Sequence, residues 1–402
     1  MKKELDNYLR VGIDYYKIVK IPLIKDSIIS LKKWNKQTII DDFGKNAVKE
    51  IKKYEGFCYI PCHENFQKTM NGFYNRYEPL SYSFDVEGNW ETISSFLEHI
   101  FGSNYEIGID YLTLLWQRPT QILPVLCLVS EERNTGKTTF LNLLKILFEG
   151  NMTINTNENF RSPFNSDWAG KLIIAVDEVL LDKREDTERI KNLSTAKHYK
   201  VESKGKDREE SEFFGKFILC SNNDDNFIKI EPNEIRFWVI KVKSLENVNP
   251  SLLDNIHAEV PYFANYLNNR EIKSQQKTRM WFTFEQIKTK AFEKLVHGNK
   301  SSLESELDEM LLDELTYFEV DELCYTGKNL VEMLKQRGLQ VSSNYISKVL
   351  KSKYELIPEK NSSYKWYRSS LHTEISGVST GFTNEKGRFY RFKKEMFQNS
   401  VV

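Results

Sequence analysis

The chain has 402 residues, of which 40% are apolar and 28% charged, and its formal net charge is zero. This length predicts two or three domains, and the composition is typical of a soluble globular protein. No apolar run approaches the roughly 20 residues of a transmembrane helix, which excludes a membrane-spanning class. The first residues lack an apolar signal core, so we expect a cytoplasmic protein with no membrane partner.

The first third of the chain predicts two structural regions. Residues 1–86 are rich in aromatic residues and lysine and contain short β-like segments, which indicates a small α+β N-terminal region. Residues 87–122 follow a helical pattern, with Ile93, Phe96 and Ile100 at three- and four-residue steps. We interpret this second region as a helical prelude, or collar, whose apolar stripe belongs to the core.

Residues 123–141 predict a phosphate-binding loop between a strand and a helix. An apolar strand is followed by a tight loop, and a helix begins near Lys137. Loop N–H groups, the helix dipole and a lysine together bind phosphate. Gly136-Lys137-Thr138 is the core of a Walker A loop, in which Thr138 ligates magnesium. Glu131 replaces the first glycine of that motif, so the motif does not predict the conformation at the start of the loop.

A second apolar strand ends in a pair of carboxylates, Asp177 and Glu178. We expect Asp177 to hold Mg²⁺, directly or through water, and Glu178 to orient and deprotonate the attacking water. A core strand with a solvated acidic end is the alternative. The preceding phosphate-binding pattern, about forty residues earlier, favours the nucleotide site because strand context is the test of such motifs.

Two further strands each carry a polar residue at one end. Asn222 follows an apolar strand, where an amide can hold the lytic water or sense the γ-phosphate, although asparagine is also common in turns. Arg236 opens a fourth apolar strand. Since a buried arginine must be paired, it faces either a phosphate or the carboxylate of a structural ion pair.

A predicted hairpin lies between the second and third of these strands. Its tip is Lys204-Gly205-Lys206-Asp207, with glycine supplying the turn. Lysines at such a tip can grip a phosphate backbone, and a solvated turn is the alternative.

Charge is distributed unevenly in the carboxyl-terminal part. Residues 246–315 predict a helical segment and an acidic hinge, and residues 301–327 contain nine acidic residues and no basic one. Residues 328–402 contain fourteen lysines and arginines against six acidic residues. A basic end behind an acidic hinge is typical of nucleic-acid binding, although a solvated charged surface has the same composition.

Residues 316–402 predict a winged-helix-like domain, because two short helices are followed by two strands joined by a polar turn. Asn344, Lys348 and Lys351 fall on the exposed face of the second helix, from which major-groove contacts are made. A winged helix used for protein contacts is the alternative.

In this order and spacing, the motifs of residues 123–245 resemble the superfamily 3 helicases. The similarity extends to the phage and mobile-element primase-helicase family, which is related to the poxvirus primase-helicase. Three segments carry it: Asn75-Arg-Tyr-Glu-Pro-Leu, Glu132-Arg-Asn-Thr-Gly-Lys-Thr-Thr-Phe and Phe217-Ile-Leu-Cys-Ser-Asn-Asn. The resemblance covers about residues 75–242 and departs from the family at Glu131.

The resemblance implies an α/β fold with an AAA+-like parallel-sheet ATPase core over residues 123–245, which binds ATP and Mg²⁺. It assigns ATP binding to six loop residues, Asn134, Thr135, Gly136, Lys137, Thr138 and Thr139. Thr138 and Asp177 become the metal ligands, and Glu178, Asn222 and Arg236 the catalytic residues. It implies that Arg236 reaches the ATP of the next subunit. It also implies that Lys204 and Lys206 contact single-stranded DNA as the DNA passes through the ring.

We therefore expect an ATP-dependent DNA helicase that acts as a ring, hexameric by the resemblance, on single-stranded DNA and replication forks of a phage or mobile element. A separate primase or other replication proteins are expected partners, because no polymerase-like motif precedes the ATPase. The alternatives are an ATP-gated origin-binding or loading module without unwinding activity, and a nucleotide-triggered assembly protein with no DNA role.

Overall fold

The computed structural model describes residues 5–22, 27–161, 168–181, 184–201, 209–231, 233–245, 249–298, 302–367 and 382–397. The chain divides into two compact units, Met1–Leu295 and Val296–Val402. No helix within the described ranges is long and apolar enough to cross a membrane.

Within the described residues, the first unit contains four sheets and most of the helices. Its strands are β1 (Tyr8–Val11), β2 (Asp14–Pro22), β3 (Ser27–Trp34), β4 (Lys52–Tyr54), β5 (Phe57–Cys58), β6 (Thr69–Met70), β7 (Phe73–Asn75), β8 (Val125–Val129), β9 (Met152–Asn155), β10 (Ile173–Val176), β11 (His198–Val201), β12 (Glu209–Glu212), β13 (Lys216–Ser221) and β14 (Phe237–Lys241). Its helices are α1 (Lys36–Phe43), α2 (Ala47–Glu50), α3 (Glu91–Phe101), α4 (Tyr105–Gln117), α5 (Lys137–Phe148), α6 (Asn157–Arg161), α7 (Arg184–Ser194), α8 (Leu252–Asn269) and α9 (Phe284–Ile287), followed by α10 (Lys290–Gly298), which runs on into the second unit.

The centre of the first unit is a five-stranded sheet in the order β14-β8-β13-β10-β9, in which every neighbouring pair is parallel. Strands buried on both faces are apolar along their whole length rather than alternating, and β8, with the sequence Val-Leu-Cys-Leu-Val, is buried at all five residues. The predicted α/β class is confirmed.

The predicted helical prelude forms α3 and α4, which pack against α8. Ile93, Phe96 and Ile100 are buried on one face of α3, as their spacing predicts. An ion pair between Arg270 and Asp110 then fixes α4 to the chain that follows α8. Asp110 also accepts a 2.6 Å hydrogen bond from the backbone N–H of Ser274, so this buried charge is fully paired.

The N-terminal region combines small sheets with short helices. One sheet has the order β3-β2-β1-β4 and a second has the order β5-β7-β6. Ile39 of α1 and Ala47 of α2 pack with Tyr8 and Tyr15 in a separate apolar cluster.

The second unit consists of α11 (Ser302–Tyr317), β15 (Glu322–Tyr325), α12 (Gly327–Gln336), α13 (Ser343–Lys353), β16 (Ser362–Tyr367), β17 (Phe382–Gly387) and β18 (Tyr390–Lys393). The apolar residues of the acidic helix α11, among them Leu307 and Leu311, are buried in the same core as α12 and α13. Ser342 is the N-cap of α13, since its Oγ accepts from the N–H of Tyr345 at 3.3 Å. β16 and β17 pair antiparallel, and β15 pairs with β18.

Candidate functional site

The sheet brings the ends of three strands to one edge. β8, β13 and β10 are parallel neighbours, so the residues that follow them emerge on the same side. The loop after β8, Asp177 after β10 and Asn222 after β13 therefore lie together. Ligands of open α/β sheets bind outside the carboxyl ends of the strands, at such an edge.

The loop between β8 and α5 is held in shape by backbone contacts and by one glycine. The N–H of Ser130 donates to the carbonyl of Ser221 at 3.1 Å, which ties the loop to the end of β13. Gly136 has φ +87°, and a Cβ there would lie 3.0 Å from Cε2 of Phe96. Because L side chains avoid this backbone region, the turn into α5 requires glycine.

Lys137 begins α5 and is only 7% exposed. Its Nζ donates to Oγ1 of Thr135 at 3.0 Å, and burial lowers the pKa of the lysine. The carbonyl of Thr135 lies 3.0 Å from Nε2 of His99 on α3. A lysine with so little solvent exposure, at the N-terminus of a 12-residue helix, is suited to bind an anion.

Thr138 and Asp177 lie in direct contact. Thr138 Oγ1 donates to Asp177 Oδ2 at 2.9 Å, and Asp177 Oδ1 accepts from the N–H of Glu178 at 3.0 Å. Octahedral Mg²⁺ holds its oxygen ligands at 2.0–2.1 Å, which places two adjacent ligands about 2.9 Å apart. The hydroxyl and carboxylate oxygens therefore fit two neighbouring positions of a magnesium ion.

Glu178 is exposed beside this pair and has an unusual backbone conformation, with φ +52°. Asn157 of α6 holds it, because Asn157 Nδ2 donates to the carbonyl of Glu178 at 3.1 Å and its Oδ1 accepts from the N–H of Leu180 at 3.1 Å. Strained backbone of this kind clusters at functional sites. The sequence prediction missed Asn157, since an asparagine in a polar loop carries no motif signal.

A cavity of about 480 Å³, open to solvent on one side, lies between these elements. All the predicted nucleotide-binding residues from Asn134 to Thr139 line it, together with Asp177, Glu178 and Asn222. Cys220, a buried residue of β13, also contributes to the wall. Burial raises the pKa of the Cys220 thiol, so it is a neutral apolar group there.

Arg236 lies away from the cavity within its own chain. It precedes β14, and its carbonyl accepts from the N–H of Val125 at 2.8 Å, at the start of β8. This position lies at the amino-terminal ends of the strands, whereas the loop lies at their carboxyl-terminal ends. The two ends are separated by about 16 Å along the strand. Arg236 Nε pairs with Glu234 Oε1 at 3.3 Å, and its side chain is 30% exposed. The intrachain ion pair is thus present, and the Arg236 side chain is still partly accessible to solvent.

The predicted DNA-binding residues are placed only in part. Lys204 and Lys206 lie outside the described residues, whereas the arms of the hairpin, β11 and β12, pair antiparallel as predicted. Asn344, Lys348 and Lys351 are all exposed on α13 in the second unit.

Comparison with known proteins gives a family match over part of the chain and a fold match over nearly all of it. Residues 128–236 match the model of a family described as "Family of unknown function (DUF5906)". The matched segment contains the loop, Asp177, Glu178, Asn222 and Arg236. No curated protein matches the chain.

Three solved structures of the NrS-1 C terminal region are similar to this chain. One apo structure of residues 305–718 has a TM-score of 0.67 at 18% identity, covering 95% of each chain. Two structures described as the A form have TM-scores of 0.63 and 0.65 at 18% and 19% identity, and cover 94% and 96% of this chain and 95% of each neighbour. At this identity the likeness shows a shared fold.

Proposed function

We propose that this protein is an ATP-dependent DNA helicase of the superfamily 3 type, which acts as a ring in the replication of a phage or mobile genetic element. The central sheet is then an AAA+-like ATPase core, and the second unit carries a winged-helix-like domain. The observation that supports the proposal most is the convergence of Lys137, Thr138, Asp177, Glu178 and Asn222 around one cavity.

Each of these residues has a role in ATP hydrolysis. Lys137 and the N-terminus of α5 bind the phosphates. Thr138 and Asp177 hold Mg²⁺, which neutralises charge on the phosphates when it is bound. Glu178, exposed to the cavity, orients and deprotonates the attacking water. Asn222 lies at the end of the neighbouring strand, where its amide contacts that water or the γ-phosphate.

Arg236 acts on the ATP of a neighbouring subunit. A cation that stabilises the transferring phosphoryl group must reach it directly, and Arg236 cannot reach the cavity of its own chain from the opposite edge of the sheet. A head-to-tail ring places that edge against the next subunit's cavity. Hydrolysis at each interface then depends on the neighbour, which couples it to movement along single-stranded DNA through Lys204 and Lys206.

A second candidate is an ATP-gated origin-binding or loading module without unwinding activity. The exposure of Asn344, Lys348 and Lys351 on one helix favours a duplex-binding role of this kind. Strand displacement on a forked DNA substrate separates the two. The helicase proposal predicts ATP- and Mg²⁺-dependent displacement, and ATP turnover with tight fork binding but no displacement would favour the loading module.

A further inference from the structure

Glu131 stands where the Walker A pattern has its first glycine, and its side chain has a specific partner. Lys294 Nζ lies 2.9 Å from Glu131 Oε1. Lys294 belongs to α10, 163 residues further along the chain. The departure from the motif is therefore matched by a long-range contact, and the Glu131 side chain is still 57% exposed.

The same ammonium group contacts two more carboxylates. Lys294 Nζ lies 2.7 Å from Asp224 Oδ1 and 3.1 Å from Asp225 Oδ1. The ligand atoms of Glu131, Asp224 and Asp225 lie within 4.8 Å of one another. Three like charges at this separation repel, and Lys294, which contacts all three, offsets that repulsion.

Asp224 is the buried member of this cluster, which distinguishes the cluster from a surface ion pair. Its side chain is 0% exposed, and its second oxygen lies 2.7 Å from Lys241 Nζ. Burial acts to raise the pKa of Asp224, but hydrogen bonds from Lys241 and Lys294 outweigh it and lower the pKa to about 2. A buried carboxylate that stays charged needs both cations in place, whereas exposed pairs alone contribute little.

The cluster connects the phosphate-binding loop to the segment that follows β13, and both segments contribute residues to the proposed ATP hydrolysis. Glu131 begins the loop that leads to Lys137, and Asp224 follows Asn222 by two residues. The hydrogen bond from Ser130 to Ser221 brings the same segments together at 3.1 Å at the strand ends. Beyond that bond, Lys294 links the start of the loop to the end of β13.

We propose that Lys294 is a positioning residue of the nucleotide site, which fixes the start of the phosphate-binding loop relative to Asn222. The inference rests on the proposed ATPase function. Glu131 replaces glycine because its carboxylate supplies one end of this link. Displacement of reacting groups by about 1 Å is enough to cost a hundredfold in rate.

The test compares Lys294→Met, which keeps the length of the side chain, with Lys294→Arg and with Lys290→Met as the matched control on an exposed face of the same helix. We expect Lys294→Met to lower kcat for ATP between about tenfold and a hundredfold, with a smaller change in KM. Lys294→Arg should retain most of kcat, and Lys290→Met all of it. Hydrogen exchange of the backbone over residues 130–136 should accelerate in Lys294→Met alone.

A double-mutant cycle that combines Lys294→Met with Glu131→Gln distinguishes a positioning role of Lys294 from a general loss of stability. If the two residues act as one link, Lys294→Met and the double variant Glu131→Gln/Lys294→Met should have similar kcat values. If the wild type turns over ATP, and Lys294→Met changes neither kcat nor the hydrogen exchange of the loop, the inference about Lys294 is wrong and the proposed function stands. A wild type with no ATP turnover would overturn the proposed function, and the role of Lys294 with it.

Discussion

The buried position of Lys137 determines how its ammonium group can act. With 7% exposure and one hydrogen bond to Thr135, it has lost most of its water before any phosphate arrives. A charge in such a site interacts strongly with an anion and requires little reorganisation when one binds. Phosphate binding should therefore depend on this one side chain more than on any exposed lysine nearby.

Lys137→Ala should lower ATP turnover by about a hundredfold or more, because it removes a preorganised cation from the phosphates. Lys145→Ala is the contrasting variant on the same helix. Lys145 Nζ donates to the carbonyls of Glu149 and Met152, both at 2.7 Å. Its loss should lower the melting temperature and leave kcat nearly unchanged. Steady-state ATPase assays and thermal unfolding of both variants check this, and full turnover by Lys137→Ala would contradict it.

Gly136→Ala should lower ATP turnover by about tenfold, because the loop must shift to relieve the added Cβ. Gly338→Ala is the matched control. Gly338 has a similar φ of +86°, but a Cβ there would have no atom within 4 Å. Both substitutions carry a backbone strain of about 1–2 kcal/mol, and only the first disturbs the loop. Equal turnover in the two variants would show that the contact with Phe96 is unimportant.

At the level of single residues, the sequence predicted the groups that a local motif carries. Gly136, Lys137, Thr138 and Asp177 follow strands in a recognisable pattern, and the structure brings them together. The contact between Glu131 and Lys294 has no such signal, because it joins residues 163 positions apart. The left-handed backbone of Glu178 was equally hidden, since it depends on hydrogen bonds with Asn157.

At the level of elements, periodicity predicted the main helices and buried strands of the central region. The apolar stripe of α3 and the apolar strands β8, β10 and β13 are all present. Periodicity does not give the order of strands, which is set by packing of helices on the sheet. It also did not predict that α11 buries Leu307 and Leu311 in the core of the second unit, because its acidic residues dominate the composition.

The exposed lysines Lys348 and Lys351 of α13 should contribute to DNA binding. Lys348→Ala combined with Lys351→Ala should weaken DNA binding and reduce its salt dependence by about two charges, since each phosphate contact releases counterions. The control removes the same charge from α12, through Lys328→Ala with Lys335→Ala, which are also exposed. Binding isotherms at several salt concentrations measure the slopes. Equal losses in both double variants would assign the effect to net charge rather than to α13.

At the level of the whole molecule, the proposed mechanism needs more than one chain. The cavity and Arg236 occupy opposite edges of the same sheet, so one chain cannot supply both to a single ATP. The sequence predicts that Arg236 opens the fourth strand. The parallel pairing of β14 with β8 places that end of the strand opposite the cavity.

If the Arg236 of one chain completes the ATP site of its neighbour, mixing two inactive variants should restore ATP turnover. ATP turnover is measured for Lys137→Ala, for Arg236→Ala and for an equal mixture of the two assembled with single-stranded DNA. Each variant alone should be nearly inactive, and Arg236→Ala should still bind ATP. The mixture should regain about a quarter of the wild-type rate, the share of interfaces that join two intact residues in a randomly mixed ring. Full turnover by Arg236→Ala alone, or no recovery in the mixture, would contradict the account.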